Sequence, residues 1–342
     1  MKIHLNQKKR RIKKMRKNYY LTLDTETATL PFADFIARDE KQKKKIAIAK
    51  PLVYDIGWVI TDRKGEIIKQ VQYLVQETFF VPQIFNTAYY RDKRPIYMQK
   101  LTSGEITAKC WNDIIEELIM DFENCTISTA YNACFDYKKA IPFTENYIKA
   151  LYSADYQKWE DMQYHKCINI VNGGSGGHNE DYLNPTFKIR GYEFPICDLW
   201  GIACEKMLNT NGYKNYCLDT EQISASGLYF KTSAETAFQY LTRNFDFIEE
   251  HTALSDAIIE SQILTKVLRK CGVKPSLDCF PFQELGKTTD YVIEKKSIKY
   301  MNVVKCGLEN WLDNANEGTS FYQQMLSHLA RIEYHLETVR GI

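Results

Sequence analysis

The sequence predicts an α/β protein whose sheet mixes parallel and antiparallel neighbours, and three observations carry that reading. Residues 19–24, 53–61 and 66–75 are short runs rich in aromatic and β-branched side chains, which is strand composition. Asp62-Arg63-Lys64-Gly65 separates the second run from the third with turn residues, so these two form a hairpin. Later segments change to helical spacing, and strand, hairpin, helix, strand, then helices is the order of an α/β chain.

The elements follow in order. Residues 8–17 hold Lys and Arg at nearly every position and read as a basic, flexible arm over residues 1–17. Residues 31–50 end in a Lys-rich run at 41–45 and read as an exposed connection. Over residues 111–122, Ile114, Ile115, Leu118, Ile119 and Phe122 recur at helical spacing. Residues 126–131 form a short fourth strand that leads into Asn132-Ala133-Cys134-Phe135-Asp136. Residues 152–190 are Tyr-rich and polar, and the Gly-rich run at 173–177 makes them the most flexible stretch. That run lacks a following Lys-Ser or Lys-Thr, so it is not a phosphate-binding loop. Residues 192–198 read as a further strand, and helices follow over 199–208, 233–243 and 252–270, with Gly272 as a stop. Residues 273–342 read as a mostly helical extension. Near its end Phe321, Met325, Leu329, Ile332, Leu336 and Val339 form one apolar stripe.

Composition excludes several classes. With 342 residues, 44% of them hydrophobic, the chain can build a real core and is not disordered. It lacks the run of about 18 apolar residues that a membrane-spanning helix needs. The N-terminal carboxylates interrupt any secretory segment, so the expected location is intracellular: cytoplasmic, or the host cytoplasm if the source is viral. The net charge of +2 hides an asymmetry, because residues 1–18 carry nine basic side chains and no acid, leaving the remainder at about −7. A globally basic nucleic-acid binder is excluded, while one with a basic arm is not. The ten cysteines include no Cys-x-x-Cys pair, which argues against a zinc ribbon.

Three short acidic patterns occur in order. Asp24-Thr25-Glu26 ends the first strand, where residues two apart share a face, so both carboxylates project together. Alone it is weak, since Asp-x-Glu arises by chance about once in a chain of this composition. Asn132-x-x-x-Asp136 follows the fourth strand and reads equally as a helix cap. His251-Thr252-Ala253-Leu254-Ser255-Asp256 opens a strongly apolar helix. Phosphodiester hydrolysis ties the three together, because it needs an activated water and stabilised charge on two oxygens. Two hard divalent ions about 4 Å apart do both and are held by carboxylate oxygens. Asp24, Glu26, Asp136 and Asp256 are the expected ligands for two Mg²⁺ or Mn²⁺ ions. His251, with an ordinary pKa near 6.5, is the expected base.

Together the three patterns resemble the motifs of the DEDDh 3′–5′ exonucleases, a superfamily that includes the proofreading subunit of bacterial DNA polymerase III, ribonuclease T and oligoribonuclease. Tyr54-Asp55-Ile56-Gly57-Trp58-Val59 and Gly65-Glu66-Ile67-Ile68 resemble that family's second strand and hairpin. The resemblance covers residues 18–272, with insertions near 31–50 and 152–190 that are long beside compact members. It implies a ribonuclease H-like fold, a mixed five-stranded sheet flanked by helices. It also implies roles: Asp24 bridging both ions, Glu26 and Asp256 completing the nucleophile-side ion, and Asp136 holding the leaving-group ion mostly through water. His251 would be the general base, Thr25 would offer its backbone to the 3′-terminal nucleotide, and Asn132 would support site and nucleotide. The expected activity is removal of nucleotides from the 3′ end of single-stranded DNA, in proofreading with a separate DNA polymerase or in repair. The alternatives are an exoribonuclease acting on RNA or short oligoribonucleotides, and a non-catalytic nucleic-acid-binding module.

Overall fold

A computed structural model describes residues 18–174, 183–315 and 317–340. The basic arm over residues 1–17 and residues 175–177 of the Gly-rich run lie outside the described residues. The strands are β1 (Tyr19–Ala28), β2 (Leu52–Asp62), β3 (Ile67–Val75), β4 (Thr107–Lys109), β5 (Ile127–Ala130), β6 (Thr186–Ile189) and β7 (Tyr192–Asp198). They form one mixed sheet of seven strands in the order β4-β3-β2-β1-β5-β7-β6. Strands β1, β2 and β3 are antiparallel to their neighbours in that meander, whereas β5 runs parallel to both β1 and β7.

Seven strands replace the expected five because each edge gains one. The three-residue β4 pairs in parallel with the end of β3. On the other edge β6 pairs with β7 across a two-residue turn, Arg190-Gly191, in which both residues have positive φ. That is the turn geometry whose twist suits a hairpin.

The longer helices are α1 (Glu40–Ala49), α2 (Arg94–Thr102), α3 (Trp111–Asn124), α4 (Ile141–Leu151), α5 (Tyr156–Val171), α6 (Asn211–Asp219), α7 (Ala234–Thr242), α8 (Ala253–Lys270), α9 (Thr288–Lys295), α10 (Ile298–Leu312) and α11 (Ser320–Arg340). They cover both faces of the sheet. Alternation along β1 turns Leu21 and Leu23 to one face, into a core with Ile114, Ile115 and Leu118 of α3. Tyr20 turns to the other face, with Ile259, Ile263 and Leu264 of α8. Asp24 and Glu26 have the parity of Tyr20, so they stand on the face that α8 covers.

Residues 31–50, expected as an exposed connection, contain α1. Residues 152–190, expected as a flexible stretch, contain α5 and β6. The two insertions pack on each other, burying Ile46 of α1 against Cys167 and Ile170 of α5. Lys41, Lys44 and Lys45 are exposed on α1, and their charge masks a helix. The segment after residue 272 is mostly helical and packs into the α8-side core through Val292, Met301, Val304, Leu308, Met325, Ile332 and Leu336. Among the described residues, no helix is long and apolar enough to cross a membrane.

Candidate active site

The site is assembled where β1 ends under the start of α8. Register between β1 and β2 shifts after Glu26, so the acids occupy the last regular stretch of the central strand. The N-terminus of α8 can approach because β2 offers Gly57 beneath it. A β-carbon there would stand 2.4 Å from the Leu254 backbone nitrogen and 2.5 Å from the Ala253 carbonyl carbon. Asp55, two residues earlier on β2, is fully buried and accepts a hydrogen bond from the Ala253 backbone N–H at 3.0 Å. The Tyr97 hydroxyl donates to the same carboxylate oxygen at 2.9 Å, and Gln72 also donates to Asp55. Thr252 and Ser255 complete a reciprocal cap, which fixes the first turn of α8. Asp256 therefore faces Asp24 and Glu26 from a helix whose start is capped, bonded to Asp55 and seated on Gly57.

Asp136 arrives from β5. Asn132 adopts left-handed backbone geometry (φ 77°), and its N–H and that of Ala133 both donate to Asp198 Oδ1 at 3.1 Å. Asn tolerates this conformation better than most residues. The chain then makes a short helix and a single π turn beginning at Asp136, a distortion frequent at functional sites. The Thr25 hydroxyl donates to Asp136 Oδ1 at 2.6 Å, so the middle residue of the first acidic pattern is tied to the second.

Ligand oxygens of Asp24, Glu26 and Asp256 all lie within 4.8 Å of one another. Asp136 is buried and its charge is felt at Asp24, but it is not a member of that close group. Burial first, and then Glu260, Asp136, Asp256 and Glu26, push the Asp24 carboxyl well above the usual carboxylate range. Burial followed by Asp256 and Asp55 does the same to Glu26. Burial raises Asp136 and Asp256 to about 7 each. Like charges held this close without a counter-ion repel. An oxygen-only donor set of this kind fits a hard divalent cation, which would relieve the repulsion.

His251 stands on the loop between α7 and α8 with left-handed backbone geometry (φ 52°). Its Nδ1 is 3.5 Å from Glu249 Oε2 and 3.9 Å from Asp256 Oδ2, and 35% of its side chain is exposed. The imidazole stacks on Tyr90, with ring centroids 4.6 Å apart and planes 14° from parallel. Lys93 lies over the Tyr90 ring and donates to the Glu250 carbonyl, with the His251 carbonyl 3.4 Å away. Burial and the Lys93 charge hold the imidazole below its ordinary pKa.

Four residues at this site were not singled out from the sequence. Glu260 is buried one turn beyond Asp256, and its Oε2 accepts the Tyr131 backbone N–H at 3.0 Å. An acid four residues after Asp256, hence on the same helix face, between Ile259 and Ile263 is a signal that could have found it. Glu249 is raised to about 8, by burial and then by Asp256. It sits on a loop, and Tyr90 and Lys93 sit at the start and end of a single 3-10 turn, where no periodicity marks them.

In comparisons with known proteins, the chain matches no family model, no curated protein and no solved structure.

Proposed function

We propose that the protein is a metal-dependent 3′–5′ exonuclease that removes nucleotides from single-stranded DNA, built on a ribonuclease H-like core of which β3, β2, β1, β5 and β7 are the five strands. One observation carries the reading: Asp24, Glu26 and Asp256, far apart in sequence, place their oxygens within 4.8 Å of one another, with Asp136 and His251 alongside. Divalent cations held there would supply charge stabilisation and water activation for phosphodiester hydrolysis. Asp24, Glu26 and Asp256 would hold them, with the buried Asp136 near enough for its charge to be felt at Asp24. The His251 Nδ1 faces two carboxylates and so carries the ring proton, which leaves the Nε2 lone pair to accept a proton from water. Burial and Lys93 hold His251 below its ordinary pKa, which favours the neutral ring that a base requires. Tyr90 and Lys93 keep the imidazole in place.

Digestion of a 5′-labelled single strand with Mg²⁺ or Mn²⁺ tests the proposal. A ladder shortening from the 3′ end is expected with the parent, none with Asp24→Ala, and a strongly slowed one with His251→Ala. Equal digestion by Asp24→Ala and parent overturns the assignment. DNA and RNA strands competing in one reaction decide the polymer.

A further inference from the structure

Glu249 is a nearly buried acid that faces the His251 ring but stands outside the oxygen-only group of Asp24, Glu26 and Asp256. Its side chain is 12% exposed, and among the described residues no hydrogen-bond donor reaches its carboxylate, whose nearest partner is the His251 ring. Its backbone N–H is fixed by Glu235 Oε1 at 3.2 Å, so the residue is held in place. Glu249, His251 and Asp256 present one ligand atom each, all within 4.8 Å of one another. Nδ1 of His251 is 3.5 Å from the Glu249 oxygen and 3.9 Å from the Asp256 oxygen. Ligands about 2.0–2.2 Å from a tetrahedral ion stand roughly 3.4 Å apart, so the triad is close to a preformed three-ligand site with one open position. The other oxygen of Asp256, Oδ1, is oriented by the Ser255 hydroxyl at 2.9 Å.

The donor set separates this site from the oxygen-only group beside it. Magnesium favours oxygen ligands and does not recruit an imidazole, whereas zinc binds imidazole and carboxylate readily. We propose that Glu249, His251 and Asp256 form a zinc site that shares Asp256 with the candidate catalytic group and shuts it off. Zn²⁺ on Nδ1 displaces the proton from that nitrogen, and the neutral ring then carries its proton on Nε2. The Nε2 lone pair disappears, so the base is removed without changing the ring's charge. Asp256 is drawn towards zinc at the same time. Lys93, beside the His251 carbonyl, opposes the ion and sets its affinity. The inhibitory consequence rests on the exonuclease reading, while the binding does not.

The test is calorimetric titration of Zn²⁺ alone into the full chain held in excess Mg²⁺. One equivalent should bind to the parent, be weakened at least about tenfold by Glu249→Gln and by His251→Asn, and be tightened by Lys93→Met. Asp24→Asn, in the oxygen-only group, should retain it. His251 nitrogen chemical shifts should move on zinc addition, a readout independent of catalysis. Unchanged zinc binding in both Glu249→Gln and His251→Asn overturns the site. Zinc bound at His251 while Mg²⁺-dependent digestion continues overturns the inhibition. Zinc bound as described with no digestion by the Mg²⁺-loaded parent supports the site and removes the exonuclease reading instead.

Discussion

Asp24 and Glu26 stand on the central strand of the sheet, whereas Glu249 and His251 stand on the loop between α7 and α8. The strand acids are paired to β2, lie just beyond the stretch of β1 that β5 pairs (Tyr20–Thr22), and face a helix that is capped and bound through Asp55. The loop residues depend on a left-handed backbone position, one stacked tyrosine and a lysine directed at carbonyl groups. Ion-holding groups gain from rigidity, because oxygens fixed a few ångströms apart repel until a cation arrives. A proton acceptor must reach its water and let product leave, and a loop seat allows both. On the proposed reading, the fold gives a strand position to charge and a loop position to proton transfer.

Substitution at the two regions should separate them most widely in activity. Asp24→Ala removes an oxygen central to the acidic group, and a rate loss of at least about 10³-fold is expected. His251→Ala removes the proposed proton acceptor, for which about 10²–10⁴-fold is usual, so a measurable residue of activity should persist. Single-turnover digestion at saturating Mn²⁺ measures both. A variant order with His251→Ala the more inactive breaks the comparison.

Gly57→Ala tests the rigid region without touching an acid. A methyl group placed 2.4 Å from a backbone nitrogen cannot be absorbed by a side-chain rotation. The start of α8 must move, at a cost of about 2–3 kcal/mol in stability, and Asp256 moves with it. Denaturant unfolding reads the first effect and Mn²⁺ affinity the second. Unfolding and metal affinity both equal to the parent's would show that the helix seat is soft.

The strand and helix carboxyls also make a pH-dependent prediction. Acids whose folded pKa is raised favour the native state fully below their unfolded values, near 4. That contribution is lost as pH rises through about 7 for Asp136 and Asp256 and about 8 for Glu249. In chelator, the melting temperature should therefore fall between pH 5 and 8, and Mg²⁺ or Mn²⁺ should restore it. Asp24→Asn, which removes one repelling charge, should be more stable than the parent in chelator by about 1–2 kcal/mol, melt higher, and respond less to pH. If Asp24→Asn melts below the parent, repulsion is not stored there.

The legible part of this molecule is its local part. Strand composition marks β1, β2 and β3, helical spacing marks α3 and α8, and the acidic patterns sit at the ends of such elements, where sequence spacing already implies a shared face. Asp24 and Glu26 are two residues apart on one strand, so their convergence needs no knowledge of the rest. What sequence hides is long-range. Asp55 meets Ala253 across nearly two hundred residues, and Gly57 is required only because a helix lands on it. Helix α1 is obscured by its surface lysines, since Ile46 is its one deeply buried side chain. The added strand β6 is signalled by Arg190-Gly191, yet a two-residue turn with Arg in positive φ is an uncommon cue. Tyr90 could not be read at all, because its only mark is a ring stacked on a loop histidine more than 150 residues later.

That stack gives the smallest expected effect and the finest probe of the softer region. An aromatic pair contributes about 0.5–1.5 kcal/mol beyond its buried area, which corresponds to a rate change of up to about tenfold if all of it orients the imidazole. Tyr90→Ala should therefore slow digestion by no more than about tenfold, with substrate affinity and Mn²⁺ affinity nearly unchanged. Tyr90→Phe keeps the ring and loses only the hydroxyl, so it should restore most of the rate. Recovery by Phe assigns the effect to stacking. A loss that Phe does not recover assigns it to the hydroxyl, and a loss as deep as that of His251→Ala would mean that the loop has no support besides Tyr90, despite Lys93 at the Glu250 carbonyl and Asp256 at the ring nitrogen. Because the imidazole has those further contacts, a partial loss is the result the geometry demands.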